Sequence, residues 1–536
     1  MSAPNVTFGQ EGAEEIIGPE AQEPENTEET TLPPLAQPDE AKPVQPVKSK
    51  AAAGDKGTAA QPVTAPPPPA PDKAAPPGTD GVKVAKKPLA EKGFKFGSYG
   101  RVGFGTTEEG RAAKSYRFVG HPPRLFESSY AEVDLSYVLA SAPEKYIKVL
   151  MTTAFMANLF HYSGISDVDI AVRNLYLETR GYFAEWLTLW AGSRMYRGDD
   201  IYLVDYWPLD NLNTIGAGAA LHPGLWDFRL HVGVNRLDDD FQYQEITVSA
   251  DRFEPRTVVF MDRQRFIVSL KGTRHLLSKK NDWTKGGKVS LYGEFHSMAE
   301  GYRYREEEPP EKLPADYGWL IGAQGGMWGL REGQFLNIWL RVAGGLAAYG
   351  ELAVPFGLDS AKKSGRAREV VVGLSENFEF GRGGLLAGGY FRYFKDADPN
   401  VYDLDDTIEG VFILRLQIYM TNMLHLALEV GESFKRTTGL ASTTPQFDDD
   451  TGSFSPPKHE TPSVTHIGLM FVLSPLGRGT LTRPQIRILG ALQAPNAAAR
   501  HLYPDEDIRS GGGGAMDNLI WYMGVQAEWW FNSSYR

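Results

Sequence analysis

The segment from residue 523 to residue 531 constrains the fold of this chain more than any other. Two series of side chains alternate along it: Gln526, Glu528 and Trp530 form one, and Val525, Ala527, Trp529 and Phe531 form the other. A β-strand turns alternate side chains to opposite faces of its sheet, so one face here is polar and the other is apolar and aromatic. Such a strand is typical of an outer-membrane barrel, where lipid lies outside and water lies inside.

Alternating segments recur from Phe94 onward, separated by stretches rich in Gly, Asp, Asn and Pro. Very short links, such as the one after Tyr419, occur beside long polar segments at 437–462 and 495–517. We therefore predict an all-β fold, a membrane β-barrel of about eighteen antiparallel strands over residues 93–536. The predicted strands lie near residues 94–106, 124–140, 145–158, 169–179, 186–195, 214–221, 225–234, 256–270, 288–297, 316–328, 334–347, 368–378, 384–395, 408–419, 422–436, 463–476, 481–494 and 518–531.

The first two predicted strands place aromatic rings beside charges on their polar faces. Tyr99 and Arg101 share one face of the first strand, and Tyr130 and Glu132 share one face of the second. A sugar ring has apolar C–H faces and a rim of hydroxyl groups. Aromatic rings suit the faces, and charged side chains suit the hydroxyl groups, so this pairing favours a carbohydrate ligand.

The composition agrees with a barrel and excludes other classes. The chain has 24 Tyr, 27 Phe and 11 Trp beside 57 Gly, which suits sheets joined by tight turns. It has no Cys, which is compatible with export. Its net charge of −12 argues against a nucleic-acid partner, because such partners need clustered Lys and Arg. No run of 18 or more apolar residues occurs, so no helical membrane span is predicted.

Residues 1–92 differ from the rest of the chain. They hold about half of its 36 prolines, and Phe8 is the only aromatic residue before Phe94. An acidic first half and a Pro/Ala/Lys-rich second half bury too little apolar surface to fold, so we predict a disordered tail. Two interpretations stay open, a plain spacer and a periplasmic tether to peptidoglycan. Residues 1–8 lack the basic start and apolar core of a signal peptide, and we expect that one has been trimmed.

Several motifs resemble the maltoporins and related sugar-specific porins. The strongest begins Leu189-Trp-Ala-Gly-Ser-Arg194 and ends Leu203-Val-Asp205, and Gly216-Ala-Gly218 follows it. Weaker matches are Gly97-Ser-Tyr-Gly-Arg101, Ser129-Tyr-Ala-Glu132, Thr482-Arg-Pro-Gln-Ile-Arg487 and Gly524-Val-Gln-Ala-Glu-Trp-Trp530. The matches keep the family's order over residues 94–531. The resemblance implies a homotrimer of eighteen-stranded barrels in the Gram-negative outer membrane. That family carries maltodextrins along a slide of aromatic rings flanked by polar tracks.

The resemblance also assigns residues to the slide and the tracks. It places slide aromatics at Tyr99, Tyr130 and Trp530, and the family's constricting tyrosine falls on Trp207, a larger ring. It places polar-track residues at Arg101, Arg124, Glu132, Arg173, Asp200 and Asp205. Alternation along the strands had already put Tyr99, Arg101, Tyr130, Glu132 and Trp530 on polar faces.

The chain departs from the family pattern at five places. Gly198 stands where the family has a track arginine, and the adjacent Arg197 is the candidate to replace it. Met420 stands where the family has a slide tryptophan, and the adjacent Tyr419 is the candidate ring. A slide phenylalanine falls near Gly333, with Phe335 a loose candidate, and Phe160 or Tyr162 would replace the tryptophan contributed by a neighbouring subunit. Residues 532–536 extend beyond the last aromatic residue. These departures leave the identity of the carried sugar open.

No pattern in the chain predicts catalysis, a cofactor or a metal. The ten His residues lack the spacing of metal ligands. No motif in the sequence indicates the Ser, His and carboxylate that a hydrolase would need together. The acidic runs 238–240 and 448–450 lack the spacing of a calcium loop, and Gly511–Gly514 follows no strand-to-helix signal.

The sequence thus predicts an outer-membrane channel for passive, facilitated diffusion of oligosaccharides, with a periplasmic N-terminal tail. Its partners would be the sugar, outer-membrane lipid and two further copies of the chain. Two alternatives stay open. One is a non-selective structural porin tethered to the cell wall by its tail, and the other is a soluble all-β carbohydrate-binding protein.

Overall fold

The computed structural model describes most of the chain after residue 91. The described ranges are 92–107, 110–111, 117–126, 129–142, 145–156, 169–250, 253–279, 282–306, 308–331, 333–399, 405–437, 447–448, 453–454, 461–500, 502 and 518–534. The predictions for the tail before residue 92, for Phe160 and Tyr162, for Asp449 and Asp450, and for Gly511–Gly514 lie outside the described residues.

Eighteen antiparallel strands form one sheet. In chain order they are β1 Gly93–Thr106, β2 Tyr130–Ala142, β3 Lys145–Met156, β4 Asp169–Arg180, β5 Leu187–Arg197, β6 Asn211–Leu221, β7 Trp226–Asn235, β8 Arg265–Lys279, β9 Asp282–Met298, β10 Asp316–Trp328, β11 Phe335–Gly345, β12 Arg368–Phe380, β13 Gly383–Lys395, β14 Thr407–Tyr419, β15 Leu424–Thr437, β16 Ser463–Leu473, β17 Gln485–Pro495 and β18 Ile520–Phe531.

The sheet closes on itself. Each strand pairs with the next in the chain, and β18 pairs with β1 from Ser98 opposite Phe531 to Thr106 opposite Met523. Closure leaves no unpaired edge on the barrel. The predicted fold class, an all-β antiparallel barrel of about eighteen strands, is confirmed.

The connections differ between the two ends of the barrel. At the end where β1 begins and β18 ends, seven links have only two to six residues, and the eighth, 474–484, is longer. We call this the short-turn end. At the opposite, long-loop end, every link has at least eleven residues. This asymmetry matches barrels whose short turns face the periplasm and whose long loops face outward.

Several long loops carry their own elements. The hairpin Tyr243–Ala250 with Phe253–Asp262 follows β7, Gly301–Arg305 with Glu308–Leu313 follows β9, and Phe447–Asp448 pairs with Ser453–Phe454 after β15. Short helical turns span Arg124–Phe126, Tyr202–Val204, Leu346–Tyr349 and Ala497–Arg500. Within the described ranges, no helix is long and apolar enough to cross a membrane.

Two predicted strand positions were wrong. The segment predicted at 256–270 joins a loop strand, Phe253–Asp262, to the first half of β8, and the break at residues 263–264 divides them. The loop strand and β8 show the same alternation of side chains, so the period of the pattern alone did not reveal the break between them. The second predicted strand begins at Tyr130, because residues 124–126 form a helical turn.

Alternate residues of the barrel strands face the outer surface or the lumen, as the sequence predicts. In β1, Phe96 and Phe104 are 46% and 64% exposed on the outer surface, whereas Tyr99 has no exposed surface. In β2, Tyr137 is exposed outside, and Tyr130 and Glu132 are buried inside. An apolar outer face with polar groups directed inward is the arrangement that a bilayer requires.

Candidate functional site

The loop between β5 and β6, residues 198–210, folds into the barrel and narrows it. We call it the lumen loop. Ile201, Leu203 and Leu209 are at most 2% exposed, although a loop of this kind would ordinarily lie at the surface. Its inward path therefore has to be explained by what the loop contacts inside the barrel.

Glycines on the facing strands make room for the lumen loop. A methyl group at Gly322 on β10 would lie 2.3 Å from a Leu209 methyl, and one at Gly388 on β13 would lie 2.9 Å from Ile201. Such distances are shorter than van der Waals contact permits. A side chain at either glycine would therefore push the loop away from the β10–β13 wall.

Asp205 lets the lumen loop reverse direction. Its φ of 50° and ψ of 48° are left-handed, a conformation that Asp tolerates better than most residues. The reversal lets the Ile201 N–H donate to the Tyr206 carbonyl at 2.7 Å, and Tyr206 donates back at 3.4 Å. The predicted track residue Asp205 thus has a structural task in the loop itself.

Tyr202 anchors the lumen loop to the opposite wall. Its hydroxyl donates to Glu528 on β18 at 2.8 Å and accepts hydrogen bonds from Arg483 and Arg487. Burial alone would raise the pKa of Tyr202, but the guanidinium of Arg483, with Arg487 and Arg124, holds the pKa below its usual value. The loop is therefore tied to a buried network of opposite charges.

Glu528 is the centre of that network. Its carboxylate accepts from Arg483 Nε at 2.8 Å and from Arg487, and it lies 3.5 Å from Arg124. Its side chain is 2% exposed, so the three guanidinium groups provide the compensation that a buried charge needs.

Four of the five predicted aromatic residues meet at the lumen loop. Tyr99, Tyr130 and Trp207 pack in one cluster with Trp530 against it, and we call this the ring cluster. The Tyr99 and Tyr130 rings lie 6.0 Å apart at 51°, and Tyr99 pairs in register with Trp530 across the closing seam. Three rings from β1, β2 and β18 therefore form a continuous group.

Tyr419 lies apart from the ring cluster. It is on β14 at the short-turn end, where its hydroxyl donates to Glu379 and its ring contacts His425 at 4.7 Å. Its neighbour Met420 is 54% exposed in the turn after the strand. Phe335 is buried at the start of β11, opposite Trp328.

Charged side chains surround the ring cluster. Arg124 donates to the Tyr99 hydroxyl at 2.5 Å, and Arg101 donates to the same oxygen at 3.1 Å. The Arg101 guanidinium also lies 5.3 Å from the centre of the Tyr130 ring. On β2, Glu132 accepts from Tyr130, and Arg173 of β4 donates both to Glu132 and to the Tyr130 hydroxyl. Four predicted track residues are thus in contact with predicted slide rings.

Arg197 takes a position that an arginine at residue 198 could not. Its guanidinium lies 3.8 Å from the centre of the Trp207 ring, and its Nε donates to Asn211 at 2.7 Å. A methyl group at Gly198 would lie 1.9 Å from Asp210 Oδ1, so residue 198 has no room for a side chain. Asp200, the last predicted track residue, is buried in the lumen loop.

A second inward loop packs on the first. His121, between β1 and β2, stacks on Tyr206 with ring centres 4.1 Å apart, and its backbone N–H donates to Tyr390 at 3.0 Å. Burial, together with the charge of Arg392, lowers the pKa of His121 to about 3. Its ring is therefore neutral throughout the physiological range.

Sequence reasoning missed the residues that hold the lumen loop. Tyr202 lies inside the strongest family-like motif, and Glu528 lies on the polar side of the first alternating segment that we identified. Their contact joins positions 326 residues apart, which no local pattern predicts. Among the described residues, no three His, Asp or Glu side chains are grouped to hold a metal ion.

Comparisons with known proteins agree with this architecture. The model of the LamB porin family matches residues 94–531. Maltoporin of Hahella chejuensis is 32% identical over 168 residues, which cover 29% of this chain and 41% of that protein. The chain thus matches less than half the length of that relative.

Two solved porin structures are more distant. OccD3 (OpdP) of Pseudomonas aeruginosa is 11% identical, with a TM-score of 0.40 over 85% of this chain and 95% of its own. OmpT of Vibrio cholerae, in a trimer form, is 9% identical, with a TM-score of 0.34 over 82% and 100%. Neither likeness carries weight at such scores. The family match, however, extends from the first barrel strand to the last, and the chain therefore belongs to the LamB porin family of outer-membrane channels, which are not enzymes.

Proposed function

We propose that this porin conducts oligosaccharides by passive diffusion, with the ring cluster as its stacking path and the surrounding charges as its hydroxyl-binding groups. Maltodextrin-like chains are the substrate class. The solute gradient drives transport, and no bond is made or broken. A chain sugar advances by exchanging one weak contact for the next, because conduction requires sites that release what they bind.

The observation that carries this proposal is the continuity of rings and charges across the closing seam. Tyr99, Tyr130 and Trp530 come from three neighbouring strands, and Arg101 and Arg124 both reach the Tyr99 hydroxyl. An ordinary polar lumen does not need adjacent aromatic rings. Rings with charge-assisted donors beside them match the two chemical surfaces of a pyranose.

The lumen loop controls access to these rings. Trp207 belongs to the loop and packs in one cluster with Tyr99 and Tyr130, and Tyr99 has no exposed surface. The Tyr202 and Trp530 rings meet in a T-shaped arrangement with their centres 5.9 Å apart. A sugar therefore reaches Tyr99 and Tyr130 only when side chains of the lumen loop move aside, and the loop sets the resistance of the channel.

Sugar block of ion current tests the proposal. Protein in planar bilayers is titrated with maltotriose and maltohexaose, and with a polyethylene glycol of the same hydrodynamic radius. We expect the sugars to reduce the current at lower concentrations than the polymer, and the longer sugar to act at lower concentrations than the shorter one. Equal effects of sugar and polymer would instead favour the non-selective structural porin.

We propose further that three chains assemble and that residues 1–92 lie in the periplasm. The homotrimer is implied by the family resemblance, and the position of the tail is supported by β1, which begins at the short-turn end. The protein should run as an oligomer in mild detergent and become monomeric only on boiling. A monomer mass by light scattering in that detergent would contradict the trimer. Contact of the tail with peptidoglycan is part of the same proposal, and a pull-down with purified cell wall tests it.

A further inference from the structure

A large cavity lies beside the ring cluster, between the lumen loop and the short-turn end. Its volume is about 890 Å³, which is in the range of pockets that hold small organic ligands. Strands β1 to β9 line it, together with residues 532–534 after the last strand. Trp207 and Arg197 form its border with the ring cluster, whereas Tyr99 and Tyr130 do not line it.

The cavity wall is basic, although the chain is acidic. Eight Lys or Arg side chains line it against five Asp or Glu, whereas the whole chain has a net charge of −12. A sixth acid, Asp210, pairs with Lys271 at 2.8 Å. Among the described residues, neither Lys95 nor Arg180 has an acidic partner. The wall therefore retains an excess of positive charge after its ion pairs are counted.

Arg194 is the most firmly placed of these cations. Its guanidinium lies 4.6, 4.9 and 5.5 Å from the centres of the Tyr176, Trp190 and Tyr196 rings. One nitrogen lies 3.4 Å from Glu178, which Lys148 also approaches at 3.4 Å. A flat guanidinium held over aromatic rings keeps its orientation at little entropic cost.

The rings beneath Arg194 support the cation and do not offer faces to a sugar. Tyr176, Trp190 and Tyr196 are 5–7% exposed, and His231 stacks on Trp190 and Tyr196 at 5.0 and 5.2 Å. Arg194 itself is 22% exposed and lines the cavity. What this wall presents to a ligand is therefore a fixed positive charge.

We propose that the cavity is a second carbohydrate site, selective for oligosaccharides that carry a negative charge, with Arg194 as its anchoring cation and Arg180 as a second one. The inference rests on the proposed sugar-channel function and adds a substrate class to it. A planar guanidinium matches a carboxylate with two parallel hydrogen bonds, and Arg180 adds long-range attraction. The site lies beyond the lumen loop on the periplasmic side, so an acidic sugar that passes the ring cluster is retained there before release.

A pair of trisaccharides that differ in one charge tests the inference. Ion-current block is measured at 0.1 M and 1 M salt with maltotriose and with maltotriose whose non-reducing C6 has been oxidised to the carboxylate. We expect the oxidised sugar to block wild-type protein at a concentration about ten-fold lower at 0.1 M salt, because a charged hydrogen bond adds to the neutral contacts. Higher salt should reduce this preference by screening.

Substitutions in the cavity wall test whether this wall causes the preference for the oxidised sugar. Arg194→Gln and Arg180→Gln should each reduce the preference and leave block by the neutral sugar within about two-fold, since stacking at the ring cluster is unchanged. Arg194→Lys, which keeps the charge and loses the planar fork, should retain part of it. Arg274→Gln is the matched control, because Arg274 lies over the Trp226 ring in the same barrel but outside this cavity.

The outcomes separate the two proposals. Equal block by both sugars in wild-type protein would overturn the inference and leave the sugar channel standing. A preference that survives both glutamine substitutions would also overturn it. Absence of block by either sugar would overturn the channel function and the inference with it. Should Arg194→Gln fail to insert, Arg180→Gln decides, because Arg180 takes part in no ion pair among the described residues.

Discussion

Glu528 is expected to hold the constriction closed, and Glu528→Gln tests this directly. The amide keeps the shape of the side chain and removes the charge that Arg483, Arg487 and the Tyr202 hydroxyl share. A hydrogen bond to a charged group contributes about 1.5–3 kcal/mol, so the detached form of the lumen loop should become roughly ten- to a hundred-fold more populated. We expect a larger and noisier open-channel current.

The stability of the barrel should fall as well. Removing one partner of a buried charge pair lowers the free energy of unfolding by about 3–5 kcal/mol. Because the glutamine amide keeps one oxygen that accepts from an arginine, we expect a loss near the lower limit. Urea titration in lipid vesicles measures it. Glu294→Gln is the matched control, because Glu294 is also buried in the lumen but bonds to Tyr292 and His296 on its own strand. If both variants gave the same current noise and the same loss of stability, the anchoring role of Glu528 would be wrong.

Three further predictions concern pH, the lumen loop and the tail. Burial raises the pKa of Glu351 from 4.5 to about 8, so the folded protein retains a proton that the unfolded chain releases. Stability should therefore fall as pH rises from about 4.5 to 8, and Glu351→Gln should flatten this slope in thermal melts. Gly198→Ala should destabilise the protein by about 1–3 kcal/mol, because its methyl would lie 1.9 Å from Asp210, and an unchanged melting curve would contradict the steric argument. Deletion of residues 1–92 should leave single-channel conductance unchanged, and failure of the truncated chain to insert would mean that the tail belongs to the fold.

Alternation along the strands was sufficient to predict the barrel and the direction of its side chains. Period-two patterning assigns faces without any knowledge of the partner strand, so Tyr99, Tyr130 and Trp530 were placed in the lumen from the sequence. Closure of the barrel then brings the last strand beside the first, which explains why Trp530 meets Tyr99 although 431 residues separate them. The assignment of faces and the pairing of β18 with β1 therefore need only the local alternation and the rule that a closed barrel joins its first and last strands.

The lumen loop could not be predicted in this way. Its inward path depends on glycines of distant strands, such as Gly322 and Gly388, and on the contact between Tyr202 and Glu528. A glycine in a strand pattern has no periodicity that reveals what it makes room for. Tyr419 was assigned to the slide by its position beside Met420, and its contact with Glu379 of β12 could not be predicted from the pattern of its own strand.

The most direct test of the proposed function compares two adjacent tryptophans on β18. Trp530 faces the lumen, where it contacts Tyr202 and the other rings of the ring cluster. Trp529 faces the outer side of the sheet, where its indole N–H donates to Ser98 at 3.0 Å and its ring covers Gly100. By analogy with base–aromatic stacking at about 1–3 kcal/mol per ring, Trp530→Ala should raise the concentration of maltohexaose that halves the current by about ten-fold or more. Trp529→Ala should leave sugar block unchanged and affect only stability or insertion. Loss of block in Trp529→Ala with normal block in Trp530→Ala would contradict the account.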